Sequence, residues 1–234
     1  MLLLCDHASN AVPSSLVNLG LKTKDLERHI AYDIGAEAIA NQLSMELDLT
    51  LITAGYSRLV IDLNRPSDHS DSILENIDGI SIPANKGLTA TARAARIEEI
   101  FDPYHRRIEQ ELTRLQNSGS PPVILSIHSF SPSYGHHPRP WDIGVLWNRD
   151  HRLALPLINM LKSLNLNVGD NEPYSGKQLA YTIDTHAGSA GLSNCAIEIS
   201  QKQISNAAGI RYWSKILIKI LPDILKIPKI NHIK

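Results

Sequence analysis

At 234 residues and 43% hydrophobic positions, the chain is long enough for one α/β domain with a sizeable buried core. A formal net charge of −1 and a pI near 6.8 exclude the basic footprint of a nucleic-acid binder, and no block of like charges marks an interaction tail. Cys5 and Cys195 both sit in apolar runs, which fits reduced, buried thiols in a cytoplasmic protein better than a disulfide framework. The opening apolar run is far shorter than the ~20 residues of a membrane span, and it lacks the basic flank of a signal peptide.

Residues 2–5 read as a first strand running into the polar turn Asp6-His7-Ala8-Ser9-Asn10. From 25 to 47, apolar residues recur at helical spacing (Leu26, Ile30, Ile34, Ala38, Leu43, Leu47), which predicts one long amphipathic helix carrying Asp33. Residues 50–54 and 58–63 read as two strands, the second ending in Asn64-Arg65-Pro66. Residues 67–86 lack a period and read as a long loop. Helical spacing returns over 89–116, with Pro103 set to break or kink it.

The near-continuous apolar run 123–127 suits a central parallel strand ending at His128-Ser129. A loop rich in His, Pro and Gly follows at 131–140. Then come a strand at 143–147, a helix at 152–164 and a short strand ending near Val168. A further strand is expected at 179–183, a buried strand carrying Glu198 at 194–199, and a last helix at 208–221. Strands alternate with helices, and no repeat or linker divides the chain. That pattern predicts an α/β fold: a single domain over residues 1–225, with a mixed, mostly parallel sheet and helices on both faces. Residues 226–234, with Lys226, Lys229 and Lys234, read as a frayed tail.

In open α/β sheets, ligands bind outside the carboxyl ends of the strands. Here those ends carry Asp6, His7, Asp62, Asn64, Arg65 and His128. Two neutral imidazoles plus a carboxylate suit Zn²⁺, with one position left for water. His7 and His128 are the candidate ligands, and the third is Asp33 or Asp6. Asp6 is handicapped because neighbouring side chains in extended backbone point to opposite faces. Glu198 places a carboxylate in a buried-type strand; partial desolvation raises its pKa and suits a general base. Arg65 with Asn64 forms a candidate clamp for a substrate carboxylate, since the guanidinium fork binds carboxylate bidentately. Arg58 would polarise a scissile carbonyl or bind a second carboxylate, and Asp62 would fix an arginine.

Six segments together resemble the N-formylglutamate amidohydrolase family. They are Cys5-Asp6-His7-Ala8-Ser9-Asn10, His29-Ile30-Ala31-Tyr32-Asp33-Ile34-Gly35-Ala36, Tyr56-Ser57-Arg58-Leu59-Val60-Ile61-Asp62-Leu63-Asn64-Arg65, Pro103-Tyr104-His105, Ser126-Ile127-His128-Ser129-Phe130 and Ile197-Glu198-Ile199. The resemblance implies a zinc-carboxypeptidase-like (phosphorylase/hydrolase-like) fold. It also implies hydrolysis of N-formyl-L-glutamate to formate and glutamate. Asp62-Leu63-Asn64-Arg65 is similar to the substrate-carboxylate motif of aspartoacylases and succinylglutamate desuccinylases, in which an upstream Arg, here Arg58, stabilises the oxyanion. Those relatives carry a Glu ligand three residues after the first His, where this chain has Asn10, so the third ligand is not inherited.

The expectation is therefore a metal-dependent amidohydrolase with one Zn²⁺ per chain. Glu198 activates water, and Arg139 on the 131–140 loop lines the acyl or side-chain pocket. Its partner is a small N-acyl amino acid, with no nucleic acid and no membrane. Its rivals are a serine hydrolase using Ser9 or Ser129, which lacks a Gly-x-Ser-x-Gly elbow, and a non-catalytic binder of acidic amino acids. Another N-acyl amino acid or a cell-wall peptide is the alternative substrate.

Overall fold

A computed structural model describes residues 1–119 and 121–233. Its strands are β1 (Leu2–Cys5), β2 (Thr50–Thr53), β3 (Asn76–Ile77), β4 (Ile80–Ser81), β5 (Ile124–Phe130), β6 (Ser133–Tyr134), β7 (His137–Pro138), β8 (Ile143–Leu146), β9 (Val168–Asp170) and β10 (Asn194–Ser200). Its helices are α1 (Thr23–Leu26), α2 (Ala36–Leu47), α3 (Ala90–Arg96), α4 (Asp102–Asn117), α5 (Ala154–Ser163), α6 (Gly176–Leu179), α7 (Tyr181–Ile183), α8 (Gln201–Ile204) and α9 (Ala207–Leu225). Six strands form one sheet in the order β2-β1-β5-β10-β8-β9. Four are mutually parallel, and β8 turns antiparallel to β10 and carries β9 with it.

The two-residue period of each strand sorts its side chains into two cores. Leu3, Cys5, Leu125, Ile127, Cys195, Ile197 and Ile199 face α2, α5 and α9. Leu2, Leu4, Ile124 and Ala196 face the opposite side, against Ile108 and Leu112 of α4. The predicted mixed α/β sheet with helices on both faces is what forms. In β5 and β10 the second face holds polar groups, because Ser126, His128 and Glu198 continue the same alternation. Glu198 pairs with His128 across adjacent parallel strands. Sheet register alone brings a carboxylate beside an imidazole.

Several expected elements differ. The long helix over 25–47 is broken into α1, which ends at Leu26, and α2, with turns between them, because Gly35 adopts φ +81° and a side chain there would meet the Ile204 carbonyl oxygen at 2.5 Å. Asp33 thus lies in a turn, its N–H donating to the His7 carbonyl at 2.9 Å. Residues 58–63 are not a strand. The Ser57 hydroxyl caps Leu59 N–H, and the carbonyls of Leu59 and Val60 accept bonds from Asn85 and Arg96 side chains instead of a neighbouring strand.

The 67–86 loop contains the β3–β4 hairpin, whose Asp78-Gly79 turn has φ of 48° and 75°, the pattern of a tight two-residue hairpin turn. Pro103 does not end its helix. It sits in the first turn of α4, directly after a π-helical stretch, Ile97–Phe101, that joins α3 to α4. Residues 179–183 are helical, in α6 and α7.

Helix α9 continues past Pro222 to Leu225, and the expected frayed tail instead folds into a 3₁₀ turn, Pro228–Asn231, with Ile230 buried and Arg152 bonded to the His232 carbonyl. Lys234 lies outside the described residues. Among these, no helix is long and apolar enough to cross a membrane.

Candidate active site

His7 lies two residues beyond β1, and His128 lies inside β5, not at its end. With Asp33 they form a buried group in which each residue brings a ligand atom to within 4.8 Å of the others. Both imidazoles turn Nδ1 toward Asp33 Oδ2, at 3.4 Å from His7 and 2.8 Å from His128. Each then bonds a different carboxylate through Nε2: His7 to Asp62 at 2.8 Å, His128 to Asp6 at 3.1 Å. Carboxylate partners behind an imidazole fix its orientation and raise its basicity, the arrangement found around metal-ligating histidines.

Does this donor set fit a metal ion? His7 Nδ1 is buried without a hydrogen-bond partner, as is Glu198 Oε2. Orphaned buried polar atoms are uncommon and call for an explanation such as an ion. Two imidazoles and one carboxylate around a point match a three-ligand catalytic zinc site with a fourth position open. The group is able to hold a metal, and its chemistry agrees with the expected set of His7, His128 and Asp33. Asp6, the competing ligand candidate, faces the far side of His128. It accepts bonds from the Tyr104 hydroxyl at 2.7 Å and the Ser126 hydroxyl at 3.1 Å. Asn10 donates to the Leu26 carbonyl and stays outside the group.

The electrostatics are those of a cation site. Burial opposes ionisation of Asp6, Asp33 and Asp62, yet histidine and arginine neighbours hold all three below the usual carboxylate range, Asp6 at about 2. Burial also opposes a charged His128, but the hydrogen bonds it donates to Asp33 and Asp6 override it and raise its pKa well above the ordinary value. The same negative field favours a divalent cation. Glu198 behaves oppositely: burial is the largest influence and pushes it up to about 7.

A cavity of about 150 Å³ opens on this group, lined also by Arg58, Asn64, Arg65, Tyr174 and Glu198. Arg58 donates to Asp62 Oδ2 at 2.5 Å and approaches Asp33 at 3.8 Å. Asp62 therefore holds both an arginine and a histidine, and only the first was read from sequence. Asn64 lines the cavity, but its amide is already bonded to the Leu179 carbonyl and the Thr182 N–H, which leaves it one N–H to offer. Arg65 makes no hydrogen bond or ion pair among the described residues. Arg139 is not in this cavity. It lies in an adjoining cleft, 4.6 Å above the Tyr174 ring and bonded to its hydroxyl.

The serine rivals lack a poised base. Ser129 donates to the Ile34 carbonyl and accepts from Gln201, while Ser9 accepts from the Ala11 N–H. Burial raises the thiol pKa of Cys5 and Cys195, which disfavours the thiolate that a nucleophile needs. Sequence reasoning missed Tyr104, Ser126 and Tyr174. The first two belong to segments that carry the family resemblance, and nothing local marks Tyr174.

The chain is 30% identical over 138 residues to an N-formylglutamate deformylase of Pseudomonas aeruginosa, covering 54% of this chain and 48% of that protein. It is 29% identical over 141 residues to the Pseudomonas putida deformylase, covering 55% and 49%. The matches thus span about half the length of these relatives. A gene product of Agrobacterium tumefaciens superposes with a TM-score of 0.93 at 33% identity, covering 97% of this chain and 91% of that one. The N-formylglutamate amidohydrolase of Ralstonia eutropha shares the fold, with a TM-score of 0.72 at 19% identity over 97% and 94% of the two chains. The family model described as N-formylglutamate amidohydrolase matches residues 1–205, and the chain belongs to that family.

Proposed function

We propose that this chain is a zinc-dependent amidohydrolase acting in the cytoplasm on a small N-acyl amino acid, its amidohydrolase unit occupying residues 1–225. N-formyl-L-glutamate, cleaved to formate and glutamate, is the substrate that the relatives' names point to. The observation that carries the reading is the buried His7–Asp33–His128 group, with a His7 Nδ1 that makes no hydrogen bond and Glu198 beside it. His7, Asp33 and His128 would hold one Zn²⁺. When bound there, the metal supplies a Lewis acid and eases deprotonation of water near neutral pH.

The remaining roles belong to side chains. Glu198, with its pKa near 7, takes a proton from the attacking water and returns it to the leaving amine nitrogen as the C–N bond breaks. Arg58 reaches the cavity while braced by Asp62, and donates to the carbonyl oxygen as charge builds on it. Arg65, with the spare Asn64 N–H, grips the substrate carboxylate. Asp6 and Asp62 keep the two imidazoles turned toward Asp33. Glu198→Gln tests the scheme. It is expected to lower kcat/KM by about 10²–10⁴-fold with metal content unchanged. Full activity with metal retained would remove Glu198 from the mechanism.

A further inference from the structure

The small cavity does not close around a formyl group. Asp33, Arg58, Ser129 and Tyr174 line it on one side and on the other line a second, wider cleft of about 660 Å³. Asn64 and Arg65 belong to the small cavity alone. The substrate carboxylate is therefore held at one end, and the space continues past Arg58 at the other. A formyl group carries only a hydrogen beyond its carbonyl carbon and would leave that cleft empty. Its volume lies within the roughly 300–1,000 Å³ typical of sites that enclose whole ligands, whereas the small cavity falls below that range.

The cleft is also built. One wall is the β3–β4 turn, where Asp78 is tied to His29 at 3.0 Å. The other is the β6–β7 hairpin with Arg139, whose guanidinium is fixed over Tyr174. Its lining mixes hydroxyl and amide groups (Ser131, Ser133, Gln201) and the charged Asp78 and Arg139 with apolar side chains (Ile30, Ile77, Phe130). Such a mixed surface suits a peptide, whose amide groups find hydrogen-bond partners there while its side chains meet apolar atoms; a hydrocarbon chain would bury the polar groups without partners.

We propose that the acyl half of the substrate is an amino acid or short peptide, so that the enzyme removes a carboxyl-terminal residue whose α-carboxylate Arg65 holds. This rests on the amidohydrolase reading above. The chemistry is unchanged. Water oxygen bonds to the acyl carbon, the C–N bond breaks, and both water protons end on the departing amine, the first passed through Glu198, so that the amine leaves as an ammonium. The acyl half leaves as a carboxylate from the cleft.

The test compares kcat/KM of the zinc-loaded enzyme for N-formyl-, N-octanoyl-, glycyl- and glycylglycyl-glutamate. Calorimetry with the Glu198→Gln variant measures binding of the same compounds without turnover. The expected result is at least a tenfold advantage of glycylglycyl- over N-formylglutamate in both measurements. Ser133→Trp, which fills the cleft from an exposed position, should cost the peptide tenfold or more and leave the formyl compound within twofold. Preference for the formyl or octanoyl compound, or equal losses on Ser133→Trp, overturns the peptide assignment and leaves amide hydrolysis standing. Turnover of none of the four compounds by metal-loaded enzyme overturns the proposed function itself.

Discussion

Replacing Asp62 by Asn probes whether the histidine geometry exists to hold a metal. Asp62 Oδ1 accepts from His7 Nε2 at 2.8 Å and from the Asn64 N–H at 2.9 Å, while Oδ2 accepts from Arg58 at 2.5 Å. Asn keeps the size and one acceptor oxygen but loses the charge, and its NH₂ must face a donor, either His7 Nε2–H or the Arg58 fork. Either choice loosens the His7 ring and removes the carboxylate that raises its basicity. Loss of such a partner costs about 10–100-fold in metal affinity, or roughly 1.4–2.7 kcal/mol. The assay is competition for Zn²⁺ against a chromophoric chelator, with circular dichroism confirming that the apo variant is folded. Asp6→Asn, acting behind His128, should give a similar loss by the same route. Wild-type affinity within twofold in folded Asp62→Asn would refute the metal-orienting role.

Three further outcomes are expected. Arg65→Ala should lower kcat/KM at least tenfold for substrates with a free carboxylate and leave their amidated analogues unchanged; equal losses on both would end the clamp assignment. Gly35→Ala combines a φ of +81° with a 2.5 Å approach to the Ile204 carbonyl, so it should destabilise the fold by about 2–5 kcal/mol. A thermal midpoint within about 2 °C of wild type would contradict that. His105 Nδ1 and His186 Nε2 lie 2.7 Å apart, and burial lowers both pKa values, His186 to about 4.

For that pair, stability is fully present above the unfolded-state value of ~6.5. It is lost as pH falls toward 4, because the unfolded chain then binds protons that the folded pair refuses, at up to about 1.4 kcal/mol per pH unit for each histidine. Urea unfolding at pH 7 and pH 5 should show this slope, and His186→Gln should flatten it. An unchanged slope would assign acid sensitivity elsewhere.

Where a segment's structure followed from its own apolar pattern, sequence was enough. The runs at 2–5, 123–127 and 194–199 read as buried strands and form central strands, and with them came the positions of His7, His128 and Glu198. The run at 58–63 misled because β-branched residues satisfy a buried loop as readily as a strand. Its carbonyls are met by Asn85 and Arg96, side chains far along the chain that no local pattern announces. Asp33 was found as a candidate but placed on a helix, since the spacing of Leu26 and Ile30 outweighed the single Gly35 that ends the turn. The bond from Tyr104 to Asp6 crosses 98 residues and could only emerge once α4 had packed on the sheet.

The side-chain bracing of residues 58–65 divides the site into two halves held by different means. His128 and Glu198 ride on central strands whose amides should exchange with solvent only through global unfolding. Arg58, Asp62 and Arg65 ride on a stretch propped by Arg96, Asn85 and the Ser57 hydroxyl, with no ladder beneath it. Leu59, Val60, Ile61 and Leu63 are nonetheless buried, so apolar packing and side-chain bonds hold this flank. The site thus joins a floor fixed by strand ladders, which carries the imidazoles and the base, to a flank fixed by side chains, which carries the arginines.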